Sequence, residues 1–298
     1  MIESRSRRII RLTFRLALLA SVFALAGESN AQDKSFLWHL HSNKGDVYIL
    51  GSIHLLKREN YPLNPAIEKA FDRAKKLVFE IDLKSADSAV QRLTLEKGLH
   101  RDGKTLEQNI SAETYSLAAK RAQELGVDIR ALSPLKPWVV ALTMTSLQLR
   151  KLGFDANSGV DHYLAGRAAK AGKPMAALET AAFQIGLMDQ LSAGDQESML
   201  RQSLREMDLL DKGLDQIVRS WAAGDVHGLE KLLLDAMREY PAVHQKIIVD
   251  RNRRWLPEIE RIIAQGENAL VIVGAAHLVG KEGVIELLKA RGYTLEQM

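Results

Sequence analysis

Val47-Tyr48-Ile49-Leu50-Gly51-Ser52-Ile53-His54-Leu55-Leu56 and Leu270-Val271-Ile272-Val273-Gly274-Ala275-Ala276-His277-Leu278-Val279 can be laid on one another without a gap. Each reads as an apolar run, then Gly, two small or apolar residues, His and Leu. Short apolar runs rich in β-branched types and closed by Gly fit strands buried on both faces. Gly at such a strand end lets the backbone bend sharply or a ligand come close. The repeat therefore predicts two related strands of one α/β sheet, each delivering a histidine at its carboxyl end. A weaker echo pairs Lys76-Leu77-Val78-Phe79-Glu80 with Pro174-Met175-Ala176-Ala177-Leu178-Glu179, each a strand closing on Glu. The period is far too long for a solenoid. It points to a mixed sheet core built from two related halves.

Outward from these strands, residues 36–41 and 46–53 flank the turn-forming Ser42-Asn43-Lys44-Gly45 and predict a β-hairpin. Residues 65–74 read as a helix with Pro at its start and 76–81 as a strand, a strand-helix-strand unit that gives parallel neighbours. From about 85 to 240 apolar residues recur at spacings of three and four, as over 112–125, 136–152 and 216–223, which predicts a large helical insertion. One strand, 175–178, interrupts it. A long helix over 243–264, which Pro257 is expected to kink or interrupt, leads into the strand 269–273. After His277 a helix with Val284, Leu287 and Leu288 on one face stops at Gly292.

The first fifteen residues carry Arg5, Arg7, Arg8, Arg11 and Arg15 against Glu3, and residues 16–26 are uncharged and apolar. With Ser29-Asn30-Ala31 ahead of Gln32, residues 1–31 read as a signal peptide, leaving a domain over 32–298 that is periplasmic or secreted. The apolar run is too short to cross a bilayer comfortably, the alternative being an uncleaved N-terminal anchor. Ser6-Arg7-Arg8 faintly resembles a twin-arginine signal, so the export route stays open. Of the formal charge of +4, the leader carries most, and about +1 remains on the mature part. The mature part holds no basic run with interleaved aromatics, which argues against a nucleic-acid partner. It holds no later run of eighteen apolar residues, so no transmembrane segment is expected there. There is no cysteine, so any metal must be held by nitrogen and oxygen.

In open α/β sheets ligands bind beyond the carboxyl ends of the strands. His54, Glu80, Glu179 and His277 all fall there. Two imidazoles and one carboxylate would hold a divalent ion with coordination positions left for water and substrate. Hydrolysis is the matching reaction class, with the remaining Glu as general base. One Gly-x-x-His alone would more often be a loop residue bonded to backbone; the duplication is what singles these two out. Arg251 and Asn252, on the helix before the last strand, could reach the site as a cation and an amide or form a polar helix face. His39 and His41 share a strand face and could form a metal pair, but on an edge hairpin they are expected to be solvated. Asp161 is expected to cap a helix, and Trp221 and Trp255 to fill the core.

The hairpin with Trp38, Tyr48-Ile49-Leu50-Gly51-Ser52-Ile53-His54, Phe79-Glu80-Ile81-Asp82, Gly159-Val160-Asp161, Ala177-Leu178-Glu179-Thr180, Arg251-Asn252-Arg253-Arg254-Trp255, Val273-Gly274-Ala275-Ala276-His277-Leu278 and Gly292-Tyr293 follow one another in the order that resembles the TraB/GumN family. That family is related to the Tiki metalloproteases and, more distantly, to erythromycin esterase and the haem-associated protein ChaN. The resemblance implies a site using both histidines and the first strand-end Glu, so His54, Glu80 and His277 as metal ligands. It favours Mn or Co, with Zn or Fe also compatible with the donor set. Glu179 would be general base or a partner behind the ligands, and Arg251 and Asn252 would orient substrate or an oxyanion. Ser52 departs from the Thr of many relatives. The expected function is a metal-dependent hydrolase, plausibly a peptidase, acting on a peptide or small molecule. The alternatives are a metal-independent esterase-like hydrolase with His54 as base, or a non-catalytic haem- or peptide-binding protein.

Overall fold

A computed structural model describes residues 34–238 and 241–298; the expected signal peptide lies outside them. Among the described residues, β1 (Leu37–Leu40), β2 (Val47–Ser52), β3 (Lys76–Phe79), β4 (Met175–Ala177), β5 (Ala269–Gly274) and β6 (Leu295–Gln297) form one sheet in the order β4-β3-β5-β2-β1-β6. The pairs β4/β3, β3/β5 and β5/β2 are parallel, while β1 is antiparallel to both β2 and β6. The sheet is thus mixed, as expected. The apolar runs β2 and β5 are buried along their whole length, as strands flanked and covered on both sides must be.

The echoed segments are direct neighbours. In the β2/β5 ladder Gly51 stands opposite Val273 and Ser52 opposite Gly274. The sequence echo is therefore one residue out of step with the sheet. Likewise β3 and β4 are adjacent, and pairing continues past both strands, the Glu179 N–H donating to the Glu80 carbonyl at 2.9 Å. All four expected site residues consequently emerge along one end of the sheet.

The helices before β4 are α1 (Pro65–Arg73), α2 (Ala86–Lys97), α3 (Leu106–Asn109), α4 (Ala112–Glu124), α5 (Pro137–Lys151) and α6 (Val160–Lys170). After it come α7 (Ala181–Asp189), α8 (Ala193–Glu206), α9 (Leu210–Ala222), α10 (Val226–Arg238), α11 (Pro241–His244), α12 (Asp250–Gln265) and α13 (Val284–Lys289). The helical insertion stands as expected, broken by β4. It has a core of its own, made by Leu106, Ala118, Ala122, Val140, Met144, Leu200 and Leu204 of α3, α4, α5 and α8. The main core packs the sheet against residues such as Phe71 of α1, Leu164 of α6, Trp255 and Ile259 of α12, and Leu288 of α13.

Three expectations need correction. Helix α12 runs through Pro257 without interruption. Proline removes one helical hydrogen bond, and here the buried stripe of Trp255, Leu256, Ile259, Ile262 and Ile263 outweighs that loss. The short strand β6 was not anticipated, since Leu295-Glu296-Gln297 has no apolar run. Because β6 covers β1, the hairpin is not a sheet edge and His39 is not solvated: its side chain is 11% exposed and bonds Asp46 Oδ1 at 2.8 Å.

Candidate functional site

Gly274 marks the centre. A Cβ built there would lie 3.0 Å from His54 Nε2, 3.3 Å from Glu80 Oε1 and 3.6 Å from His277 Cδ2. The three side chains named as metal ligands from sequence therefore converge on one backbone position, with Glu80 Oε1 accepting from the Gly274 N–H at 2.7 Å. His277 Nε2 lies 3.9 Å from Glu80 Oε1. Beside them opens a cavity of about 350 Å³ whose polar wall includes His54, Glu80, Asp161, His162 and Gln184, and whose apolar wall includes Leu55, Ile81 and Leu83. A larger hollow of about 470 Å³ between Glu96 and Lys136 holds none of these residues, and its Lys136 is already paired to Asp189 at 2.6 Å.

Each histidine is fixed through Nδ1. His54 Nδ1 donates to Asp161 Oδ2 at 2.9 Å, and Ser52 Oγ donates to the other oxygen of the same carboxylate at 2.9 Å. Asp161 lies in the first turn of α6, capped by Gly159. Glycine is required there by close approach, since a Cβ would fall 2.1 Å from the His54 carbonyl oxygen. The Val160 N–H donates to the Ile53 carbonyl at 3.0 Å, locking the start of α6 against the His54 segment. The carboxylate of Asp161 thus serves His54 and Ser52 rather than its own helix, a correction to the capping expectation. On the other side, Asn252 Nδ2 donates to the carbonyls of His277 and Glu282, which leaves Oδ1 to accept from His277 Nδ1 at 2.7 Å. The proton of neutral His277 therefore sits on Nδ1, which leaves the Nε2 lone pair to accept from Arg251 Nη1 at 3.0 Å.

Arg251 fills the space behind. Its Nε donates to Glu179 Oε1 at 2.9 Å, Nη2 to Glu179 Oε1 at 2.6 Å and to Glu80 Oε2, and Nη1 to the Ile247 carbonyl at 3.2 Å and His277 Nε2 at 3.0 Å. All five guanidinium N–H groups are engaged, so none is free for a substrate. A π-helical turn, Gln245–Val249, immediately precedes α12, and Arg251 bonds back into it through Ile247. Glu179 is buried to the last atom of its side chain, with Trp255 Nε1 donating to Oε2 at 3.0 Å. Gln184 of α7 bridges Glu179 and Glu80 at 2.8 and 3.0 Å. Sequence reasoning missed Asp161 and Gln184 as members of this network. Gly159 ahead of Asp161 was the one available signal; for Gln184 there was none.

The electrostatics follow from Glu80 and Glu179 facing the Arg251 guanidinium and Asp161 facing His54. The Asp161 carboxylate raises His54 to about 9, against the opposing effect of burial. More than half of the His54 side chain is open to solvent, which tempers that attraction. Burial works to raise Glu80, but His277, Arg251, His54 and the Gly274 N–H outweigh it and hold the carboxyl at about 2. At neutral pH the charges of Arg251 and protonated His54 carry that effect, since His277 is then neutral. Burial lowers His277 to about 3, Glu80 pulling upward and Arg251 pushing down.

A mixed α/β sheet whose two Gly-x-x-His strand ends meet at one acidic, cavity-lined centre defines the class. The chain matches the TraB/PrgY/gumN family over residues 36–297 and belongs to it. It is similar to the uncharacterized protein YbaP of Escherichia coli K12, 25% identical over 242 residues that cover 81% of this chain and 87% of YbaP. It is also similar to an uncharacterized protein of Treponema pallidum, 26% identical over 278 residues covering 85% and 80% of the two chains. No solved structure matches it significantly. No described helix is long and apolar enough to cross a membrane.

Proposed function

We infer that the chain is an exported metal-dependent hydrolase of peptide bonds, whose ion is held by His54, Glu80 and His277. One observation carries this reading: both imidazoles are gripped at Nδ1, by Asp161 and Asn252, so that His54 Nε2 turns toward Gly274 and His277 Nε2 comes to 3.9 Å from Glu80 Oε1. Metal-ligating histidines nearly always donate their other ring N–H to such an oxygen partner, which fixes tautomer and orientation. The donor set fits a first-row divalent ion, and the excess of carboxyl groups over cations supplies the matching charge. The fit has two conditions. The donor atoms of His54, Glu80 and His277 do not all lie within 4.8 Å of one another and must draw together, and Arg251, which now occupies the His277 Nε2 lone pair, must yield it while keeping Glu179.

Such an ion would lower the pKa of bound water to about 7 and polarise a carbonyl. The chain's own residues do the rest. Asp161 and Asn252 hold the ligand rings, and Glu179, sealed away from the cavity, serves by orienting Arg251 rather than as a base. Leu55, Ile81 and Leu83 offer an apolar wall to one side of a peptide or small-molecule substrate. The cavity leaves His54 as the exposed ligand, where substrate would meet the centre. Residues 1–31 would direct the chain to the periplasm and be removed.

The Asp161–His54 pair also favours a metal-free ester hydrolysis with His54 as base. Protonation of His54 up to about 9 counts against it, since a base must be unprotonated at the working pH. A haem-binding role is less well served, because His277 is 5% exposed and its Nε2 is taken. The deciding experiment is elemental analysis of purified mature protein with hydrolysis of a peptide library. Wild-type protein is expected to hold one equivalent more of Mn, Co, Zn or Fe than His54→Ala or His277→Ala, and turnover is lost with that equivalent. No metal uptake that depends on His54 and His277, with hydrolysis unchanged in His54→Ala, would sink the reading. An N-terminus at Gln32 on the protein recovered from the periplasm checks the export.

A further inference from the structure

At the opposite end of β2, about 20 Å of strand away from His54, lies a second group of metal-ligating side chains. His39, His41 and Asp46 each offer a donor atom, and these atoms lie within 4.8 Å of one another. They are the one such trio found among the described residues. His39 Nε2 meets Asp46 Oδ1 at 2.8 Å, and the two imidazole centroids are 4.0 Å apart. His39 is held in place by stacking on Tyr48, 4.6 Å between centroids at 14°. A fourth donor stands beside them: Glu296 of β6, directly opposite His39 in the ladder, has Oε2 at 3.6 Å from His41 Nε2.

We propose that His39, His41, Asp46 and Glu296 form a structural zinc site that fastens the β1–β2 hairpin to the carboxyl-terminal strand. Donor atoms on one tetrahedral zinc are roughly 3.3 Å apart, given Zn–N and Zn–O lengths of about 2.0–2.1 Å. The spacings of 2.8 and 3.6 Å bracket that figure, and the exposed side chains of His41, Asp46 and Glu296 are free to adjust. Two imidazoles and two carboxylates suit zinc, whereas calcium and magnesium take oxygen ligands. Four protein ligands would close the coordination sphere, the mark of a structural rather than a catalytic site. The physical need is plain as well. β6 is three residues long and pairs only with β1, and an ion binding the folded arrangement contributes its binding energy to folding.

The test uses the full mature chain carrying His54→Ala, so that the central site is disabled, stripped with chelator and titrated calorimetrically with Zn²⁺ alone. One equivalent is expected, with a rise in thermal midpoint. Adding His41→Ala should weaken binding by more than the roughly 10–100-fold that changes behind a ligand cost, and should abolish the thermal rise. Both His41 and Glu296 are largely exposed, so His41→Ala and Glu296→Gln should leave the fold intact. Co²⁺ in place of zinc should give the intense visible absorption of a tetrahedral site, diminished in Glu296→Gln. No zinc uptake in the His54→Ala chain, or uptake that His41→Ala leaves unchanged, overturns the proposal.

Discussion

Asn252 grips His277 at two points: Oδ1 accepts from the ring Nδ1 at 2.7 Å, and Nδ2 donates to the carbonyl of the same residue at 3.2 Å. The side chain is wholly buried, so neither group can turn to water instead. In Asn252→Ala the His277 ring loses its fixed tautomer, and metal affinity should fall about 10–100-fold. The orphaned Nδ1–H and carbonyls should also cost about 1–3 kcal/mol of stability. Calorimetric metal titration and urea unfolding check the two effects separately.

Asp161 controls His54 by charge. In the metal-free protein a 15N-labelled histidine titration should show His54 changing state near 9, and Asp161→Asn should return it toward the ordinary 6.5. The sign for stability follows. A histidine raised in the folded state contributes fully below 6.5, and the contribution is lost as pH rises through about 9. Metal-free wild type should therefore weaken between those limits, and Asp161→Asn should lose that slope. An unchanged His54 titration in Asp161→Asn would contradict this account.

Gly274→Ala separates the site from the fold. The backbone at Gly274 has φ −54° and ψ 139°, open to any residue, so alanine introduces no strain. Its methyl would instead stand 3.0 Å from His54 Nε2 and 3.3 Å from Glu80 Oε1, in the middle of the donor set. The expected result is loss of metal binding with a far-ultraviolet circular dichroism spectrum like that of wild type. Gly159→Ala should behave differently, because its clash at 2.1 Å is with the His54 backbone and must shift a chain segment.

What could be read from the sequence was whatever a short segment declares by itself. Gly51 to His54 and Gly274 to His277 announced two strand ends, and the sheet does place them side by side. Glu80 and Glu179 announced two more, bonded backbone to backbone. The partners that give these residues their chemical state come from far away in the chain and carry no local pattern. Asp161 resembles any acidic residue in a first helical turn until α6 docks on Ile53, and Gln184 is, with Asp189, one of two polar residues in a largely apolar helix. Arg251 and Asn252 were visible as a polar face. That one would bind carboxylates and the other an imidazole depends on a pairing of α12 with strand ends that no spacing encodes. The β6 strand was hidden for a related reason: a three-residue edge needs no apolar alternation, since its stability comes from β1.

The Arg251–Glu179 pair offers the sharpest test of how the centre is held. Both side chains are at most 7% exposed, and Glu179 has no other cation within reach among its hydrogen-bond partners Gln184 and Trp255. Arg251→Leu should therefore cost about 3–5 kcal/mol, the usual result of leaving a buried charge without its partner. Glu179→Gln should cost less, because Arg251 keeps Glu80. If the two act as one unit, the double variant should be destabilised by clearly less than the sum of the single effects, as a double-mutant cycle would show. Arg251→Leu should also release the lone pair at His277 Nε2 and remove a charge that pushes the imidazole down, so His277 should titrate above its present value of about 3. Additive stability losses, with the His277 titration unmoved, would mean that Arg251 packs beside the centre without governing it.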